Sequence, residues 1–563
     1  MPNQVLRERV VMKRLAVYFF LLLLTAGMLG GALALSHVHL PRIAALEDLR
    51  RAIRPTLREK GSWIAISSEG AVSQEMMDAV EIACKAFNSI MQKSSGAMLE
   101  EDVRLVVSAT SQDYRSALQR EFAISAAEAE DVANVSGGWT GGKARITVLN
   151  GSAGVMANRS LILSTTGHEL FHQLQYELSD GKDTGENAIF WLEEGSADVI
   201  GACIAEKLGG QGFEKWKRDR MYEMGSVYEY IRPESLARAD GAKRKRVMGK
   251  DQHAYLISDL MTICLLEQKG ADEAMANLAE YFRALGGSED GAAAFEQVFG
   301  RKEAVFLQEF GKWLAEKRER PAKIDIVAQQ GTPDGMTAAV AGEMEHARQF
   351  FRSEFGTDLH GEYQVIIAAN QTDFTDAIQN TFAVPQEKAS EFAQNLWVES
   401  SSTVLMNGEQ LGTSQQQIFT VGAMTTRMLE GQTASGHVMG IEWMGRGIAY
   451  YVATQMMVRA GIGTLPQYRT AWRQRLASAG ANAPVLAELH DAAGWNQVQG
   501  RGNGDAATCA AELAVDRLAS RYGTASLYRW MRETGRTQDA REAFKNIYGV
   551  SLEQFEREFA MMR

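Results

Sequence analysis

The residues Gly-His-Glu-Leu-Phe-His occupy positions 167–172, and Trp-Leu-Glu-Glu-Gly-Ser-Ala-Asp follows at positions 191–198. If the first segment is helical, His168 and His172 lie one turn apart on the same face of the helix. Two neutral imidazoles at that spacing can bind one zinc ion, with Glu169 near the open position where a water molecule would sit. A catalytic zinc site takes three protein ligands, so we predict that a second helix supplies the third, and Glu194 is the candidate.

Length and composition restrict the class of protein. The chain has 563 residues, which is too long for one ordinary core and predicts two to four domains. Its content of 45% hydrophobic and 23% charged residues is typical of a globular protein. The net charge of −11 argues against a nucleic-acid-binding protein. Each of the four cysteines sits in an apolar or alanine-rich stretch, which predicts buried free thiols.

The first 36 residues combine a basic start with an apolar run at 15–34. Twenty residues of helix span about 30 Å, so the run could be an uncleaved signal anchor that crosses a membrane. It could equally be a signal peptide that is cut after Ala-Leu-Ala at 32–34. Both interpretations predict that the rest of the chain lies outside the cytoplasm. Residues 37–60 form a charged connector.

Hydrophobic periodicity predicts an alternation of strands and helices before the His-containing helix. We expect strands at 63–66 and 103–107, helices at 76–91 and 113–122, and a hairpin at 139–149. The helix that carries the histidines is predicted at 163–178. The helix that carries Glu194 is predicted to run to about 208, and the chain is mostly helical from there to 317.

The sequence also contains an internal repeat, with a spacing of about 250–260 residues. Val-Arg-Leu-Val-Val at 103–107 matches Tyr-Gln-Val-Ile-Ile at 363–367, and Trp-Leu-Glu-Glu-Gly-Ser-Ala at 191–197 matches Trp-Met-Gly-Arg-Gly-Ile-Ala at 443–449. We therefore predict two tandem α+β domains, at 61–320 and 321–563. Each would contain a small mixed sheet with N-terminal helices, followed by a mainly helical part.

The second copy lacks the residues of the first that carry chemistry. The repeat pairs His168 with Ala423, Glu169 with Met424, His172 with Arg427 and Glu194 with Arg446. A guanidinium stays protonated and offers no lone pair to a metal. We predict one zinc ion per chain, in the first domain only, and a metal-free second domain.

The residues at 166–201 resemble the gluzincin metallopeptidases, the group of thermolysin and the aminopeptidases with a Trp-Leu-x-Glu-Gly-x-Ala helix. The resemblance implies a thermolysin-like fold with Glu194 as a zinc ligand and Asp198 as the hydrogen-bond partner of His168. It also suggests an oxyanion donor, Tyr255, at the start of a helix that ends at Gly270, with His253 as the alternative. There is no clear counterpart of the aminopeptidase Gly-x-Met-Glu-Asn strand.

The predicted chemistry is hydrolysis of a peptide bond. Zinc held by His168, His172 and Glu194 would activate water, and Glu169 would act as the general base. Tyr255 or His253 would share the developing oxyanion charge with the metal. An extended peptide or protein substrate would pair with the hairpin at 139–149.

Two other functions stay open at this point. One is a non-proteolytic binding or assembly protein on a peptidase fold, although such a protein has no need of Glu169. The other is a zinc amidase that acts on cell-wall material. A basic loop at 243–246 could attract acidic substrates or lipid headgroups, or could be an ordinary solvated loop.

Overall fold

The computed structural model describes residues 62–184, 188–227, 232–237, 253–267, 269–288, 290–434 and 441–561. Residues 61–563 form one compact unit. The predicted segments 1–36 and 37–60 and the basic loop 243–246 lie outside the described residues. Within the described ranges, no helix is both long enough and apolar enough to cross a membrane.

The first half of the chain begins with a mixed sheet of four strands in the order β1-β2-β4-β3. The strands are β1 (Ile64–Glu69), β2 (Val103–Ser108), β3 (Gly138–Gly141) and β4 (Ile146–Asn150). Strands β1, β2 and β4 are parallel, whereas β3 runs antiparallel to β4 and lies at the edge of the sheet. The hairpin predicted at 139–149 is confirmed as β3 and β4.

Three helices connect these strands: α1 (Gln74–Ser95), α2 (Ser111–Phe122) and α3 (Ala126–Val135). Strand β2 is buried on both faces, as expected for an inner parallel strand. Leu105 faces the main core, and Val106 faces a smaller cluster under α2 and α3 that includes Tyr114. Successive strand residues point to opposite faces, so β2 joins the two apolar clusters.

A helical part completes the first half and shares one hydrophobic core with α1 and β2, from Ala79 to Leu314. Its helices are α4 (Arg159–Leu178), α5 (Phe190–Lys207), α6 (Phe213–Glu223), α7 (Pro233–Ala237), α8 (Ala254–Leu265), α9 (Ala271–Gly287), α10 (Gly291–Phe299) and α11 (Glu303–Glu319).

The second half repeats the arrangement of strands. Its sheet has the order β5-β6-β8-β7, again with three parallel strands and an antiparallel edge strand. The strands are β5 (Lys323–Ala328), β6 (Glu362–Ala368), β7 (Trp397–Ser400) and β8 (Thr403–Asn407). The α+β class is confirmed, with two small mixed sheets. Helix α11 ends at Glu319 and β5 begins at Lys323, so the junction between the two sheets falls between these residues.

The helices of the second half surround a separate core, from Met336 to Phe559. They are α12 (Met336–Phe350), α13 (Gln371–Phe382), α14 (Gln386–Phe392), α15 (Ser414–Ala434), α16 (Glu442–Arg459), α17 (Leu465–Ser478), α18 (Ala492–Gly500), α19 (Gly504–Tyr522), α20 (Ala525–Thr537), α21 (Ala540–Tyr548) and α22 (Leu552–Ala560).

Each half has a tryptophan at the equivalent position, which forms a hydrogen bond between a central helix and a helix near the end of that half. In the first half, the indole Nε1 of Trp191 donates to Glu303 Oε1 at 3.2 Å. In the second half, Trp443 donates to Glu556 Oε1 at 3.0 Å. Both indoles are fully buried. Because the second half keeps this contact without the ligand residues, the tryptophan of the motif serves packing.

Candidate metal centre and active site

Helices α4 and α5 approach each other closely because both carry glycine where they cross. A Cβ added at Gly167 would lie 3.3 Å from the Cα of Gly201 and 3.2 Å from the Cβ of Ile204. A Cβ added at Gly201 would overlap the carbonyl oxygen of Ser164 and lie 3.2 Å from the backbone nitrogen of His168. The glycines therefore permit a backbone contact that brings the His-bearing face of α4 against α5.

This contact brings together the three residues that the sequence predicts as zinc ligands. The Nε2 atoms of His168 and His172 are 3.0 Å apart on α4. Glu194 Oε2, on α5, lies 3.9 Å from His168 Nε2 and 3.6 Å from His172 Nε2. Among the described residues, these three form the one group of three or more His, Cys, Asp or Glu side chains with the spacing of a metal site.

The donor atoms fit a zinc ion. In a tetrahedral site with bonds of about 2.0–2.1 Å, two ligand atoms are about 3.3 Å apart. The observed separations of 3.0, 3.6 and 3.9 Å lie on both sides of this value. Two imidazole nitrogens and one carboxylate oxygen also match the donor types of zinc sites, and three protein ligands are the number found where zinc is catalytic.

Each histidine is oriented by a hydrogen bond at Nδ1, the ring nitrogen that is not a predicted zinc donor. His168 Nδ1 is 2.8 Å from Asp198 Oδ1, and His172 Nδ1 is 2.6 Å from Gln175 Oε1. With both Nδ1 atoms as donors, both Nε2 lone pairs point to the space in front of Glu194. The family resemblance implies this role for Asp198. It does not predict Gln175, whose Nε2 also donates to the carbonyl oxygen of Glu193 at 2.8 Å and so joins α4 to α5.

The carboxylates around the two histidines change their pKa values. Burial disfavours the charged form of each imidazole, but the carboxylates outweigh this effect. The pKa of His168 is raised mainly by Asp198, and that of His172 is raised to about 10 by Glu194. Burial alone would raise the pKa of Asp198, yet His168 outweighs it and lowers that pKa. In the absence of metal the site therefore holds protons, which a metal ion must displace.

The side chain of Glu169 extends from α4 towards the edge strand β3. Its side chain is buried, and Oε2 accepts a hydrogen bond from Thr140 Oγ1 at 2.6 Å. A Cβ added at Gly138 would lie 2.5 Å from Glu169 Oε1, so the glycine allows the strand to pass close to this carboxylate. Thr140 was not predicted from the sequence, because β3 and α4 meet only through folding.

The two candidate oxyanion donors differ in whether they line the cleft. Tyr255, in the first turn of α8, lines the same cleft as His168, Glu169 and Glu194, whereas His253 is absent from the described residues that line it. The predicted helix from Tyr255 to Gly270 is wrong in its length. Helix α8 ends at Leu265, and Gly270 instead precedes the first residue of α9.

The cleft has a volume of about 1200 Å³ and runs along the edge strand. Residues 138–144, which contain β3 and the turn after it, form one wall, and α3 contributes Asp131 and Val135. The predicted ligands and Glu169, on α4 and α5, also line the cleft, and Glu169 is joined to β3 by its hydrogen bond with Thr140. An edge strand has backbone groups that no neighbouring strand occupies, so an extended chain in this cleft could pair with β3.

The corresponding positions in the second half contain ion pairs. Arg427, which the repeat aligns with His172, places its Nη1 2.6 Å from Glu430 Oε2. Arg446, paired with Glu194, lies 2.6 Å from Glu442 Oε1 and stacks over Trp495 at 4.6 Å. The residues paired with His168 and Glu169 are the fully buried Ala423 and Met424. The four side chains offer no oxygen or imidazole ligand to a metal.

No protein-family model, curated protein or solved structure matches this chain. Its chemistry is therefore inferred from the site itself.

Proposed function

We propose that the first half of the chain is a zinc-dependent peptidase of the gluzincin type, with one zinc ion per chain and a metal-free second half. The observation that carries this proposal is the convergence of His168, His172 and Glu194 on one point, with Glu169 beside them on the wall of an open cleft. A binding protein would need neither the free coordination position nor the adjacent carboxylate.

A bound zinc ion would supply a Lewis acid that lowers the pKa of water and polarises a carbonyl group. Glu169 takes a proton from the water molecule as its oxygen attacks the carbonyl carbon of the substrate. As the carbon–nitrogen bond breaks, Glu169 delivers this proton to the leaving amine. Thr140 holds Oε2 of Glu169, which leaves Oε1 for the proton.

Other residues of the cleft bind the substrate and the developing charge. The hydroxyl group of Tyr255 donates a hydrogen bond to the carbonyl oxygen as negative charge develops there. The edge strand β3 pairs with the extended backbone of a peptide or protein substrate. A location outside the cytoplasm rests on residues 1–36 and stays a prediction.

The decisive experiment combines zinc analysis with peptide cleavage. We expect the purified protein to contain one zinc ion and to cleave a peptide library, and a chelator should abolish cleavage. Glu169→Gln should lower the cleavage rate by about 10²–10⁴-fold and keep the zinc. The control is Glu280→Gln, at an exposed glutamate of α9 that pairs with Arg283.

Three outcomes would contradict this proposal. Full activity of Glu169→Gln would exclude Glu169 as the general base. Zinc binding without cleavage of any peptide would favour a binding protein. Cleavage of cell-wall amides but not of peptides would favour an amidase.

A further inference from the structure

Behind the candidate metal site, the carboxyl groups of the partly exposed Asp198 and the buried Asp259 lie next to each other. Asp198, which is 2.8 Å from His168 Nδ1, also shares a hydrogen bond with Asp259 of α8. Asp259 is 1% exposed. Burial and the charge of Asp198 raise the pKa of Asp259 above its usual range. The carboxylate that orients His168 is thus held in turn by a residue of another helix.

Helix α6 places a positive charge against this pair. Arg220 Nη1 lies 3.6 Å from Asp259 Oδ2, and the charge of Arg220 also lowers the pKa of Asp198. Arg220 Nη2 is fixed by Glu223 Oε1 at 2.9 Å, one turn further along α6. A series of contacts therefore leads from Arg220 through Asp259 and Asp198 to the predicted zinc ligand His168.

Other residues of α6 bind the second half of the chain. Asp219 Oδ1 accepts hydrogen bonds from Ser402 Oγ at 2.7 Å and from its backbone nitrogen at 3.3 Å. Ser402 lies in the turn between β7 and β8, and both it and Asp219 are buried. Arg218 Nη2 donates to Gln364 Oε1 of β6 at 3.3 Å. The first half thus contacts the second sheet through α6.

Tyr222, also on α6, is inserted against helix α15 of the second half. Its ring meets that of Tyr363 edge-on at 5.8 Å. A Cβ added at Gly431 of α15 would overlap the hydroxyl oxygen of Tyr222 and lie 3.3 Å from its Cζ. Tyr222 can occupy this position only because residue 431 has no side chain. The helix that positions Arg220 is therefore packed tightly on the second half.

We propose that Arg220 is a positioning residue for the candidate metal site, and that the second half of the chain keeps it in place by holding α6. This inference rests on the proposed zinc site. It gives the metal-free half a function in the chemistry of the other half: its contacts with α6 set the geometry of Asp198 and His168. A merely structural second half would stabilise the protein without affecting how the metal is bound.

The first test changes only the second half, in the full chain. Gly431→Ala should displace Tyr222 and α6 and weaken zinc affinity by about tenfold, the lower end of the effect of disturbing residues behind a metal ligand. Gly342→Ala is the matched control, because a Cβ at this exposed position of α12 meets nothing within 4 Å. The readouts are zinc competition with a chelating dye and the visible absorption spectrum of the cobalt-substituted protein. Adding Tyr222→Phe to Gly431→Ala removes the overlapping hydroxyl group and should restore both.

The second test changes the positioning residue itself. Arg220→Met should weaken zinc affinity by about tenfold and alter the cobalt spectrum, and Arg220→Lys should recover much of the affinity because it keeps the charge. The control is Arg283→Met, at an arginine of α9 whose side chain is 42% exposed.

The outcomes distinguish this inference from the proposed function. A wild-type protein that binds no zinc would overturn both. If the wild-type protein binds zinc, but Gly431→Ala and Arg220→Met bind it as tightly and give the same cobalt spectrum, only the positioning role is refuted. The same conclusion holds if Gly431→Ala lowers thermal stability alone. If Gly431→Ala does not fold, the Arg220 variants decide the question.

Discussion

Replacing Gly201 with alanine is expected to disrupt the candidate metal site without touching a ligand. The added Cβ would overlap the carbonyl oxygen of Ser164, far inside the 3.0 Å below which real Cβ contacts are essentially never found. The obstacle is backbone, so no rotation of a side chain can relieve the overlap. Helices α4 and α5 must therefore move apart by about 1 Å in this tightly packed region.

The size of that movement sets the expected effect. His168 and His172 lie on α4 and Glu194 lies on α5, whereas zinc–ligand distances tolerate only about ±0.2 Å. Zinc affinity should fall by about 10–100-fold, the range found when the support of a metal ligand is disturbed. Overpacking should also lower the free energy of unfolding by about 1–3 kcal/mol. Zinc competition and urea unfolding with and without zinc measure the two effects.

Gly311→Ala provides the control for this substitution. Gly311 is an exposed helical glycine of α11, and a Cβ there meets nothing within 4 Å. This change should leave zinc affinity unchanged and stabilise the helix by up to about 1 kcal/mol. If Gly201→Ala keeps wild-type stability and zinc affinity, the close crossing of α4 and α5 does not determine the geometry of the site.

Three further predictions concern His172, Trp443 and Glu512. Because Glu194 raises the pKa of His172 to about 10, zinc binding should release protons and strengthen as pH rises towards 10; a binding heat that is the same in buffers of different ionisation enthalpy would contradict this. Trp443→Phe removes the indole bond to Glu556 and should lower the free energy of unfolding by about 1–3 kcal/mol, as measured by urea unfolding, without changing zinc affinity. Burial raises the pKa of Glu512 to about 8, so the folded state holds a proton that the unfolded state loses above its pKa of about 4.5. Stability should consequently fall as pH rises from about 4.5 to 8, and Glu512→Gln should reduce that slope in unfolding curves measured across this range.

The candidate ligands could be predicted from the sequence because their geometry is local. His168, Glu169 and His172 have fixed relative positions on any helix. The role of Asp198, by contrast, came from the family resemblance and not from spacing. Strand β2 was likewise predicted from a short β-type run, and the hairpin of β3 and β4 was predicted because glycines separate two such runs. The repeat of the sheet was visible because matching strands and helices occur in the same order.

The residues that support the site could not be predicted, because folding brings them together from distant parts of the chain. Thr140 is 29 residues from Glu169, and Ser402 is 183 residues from Asp219. Single residues such as Thr and Ser carry no spacing pattern that indicates a partner. Asp259 was missed for a different reason: it lies within an apolar helix, where nothing in the local sequence indicates a contact with Asp198.

The ion pair of Arg427 and Glu430 has an evolutionary consequence for the second half. A single change of Arg427 to histidine would leave Glu430, whose side chain is 4% exposed, without its counter-charge. Removing one partner of a buried pair costs on the order of 3–5 kcal/mol, against a typical total stability of about 5–15 kcal/mol. Burial raises the pKa of Glu430 to about 7, so this carboxyl group can take up a proton when it loses Arg427. The loss of stability is therefore expected near the lower end of the ~3–5 kcal/mol range. The step from Arg427 to histidine therefore passes through a destabilised protein, and selection for folding disfavours it.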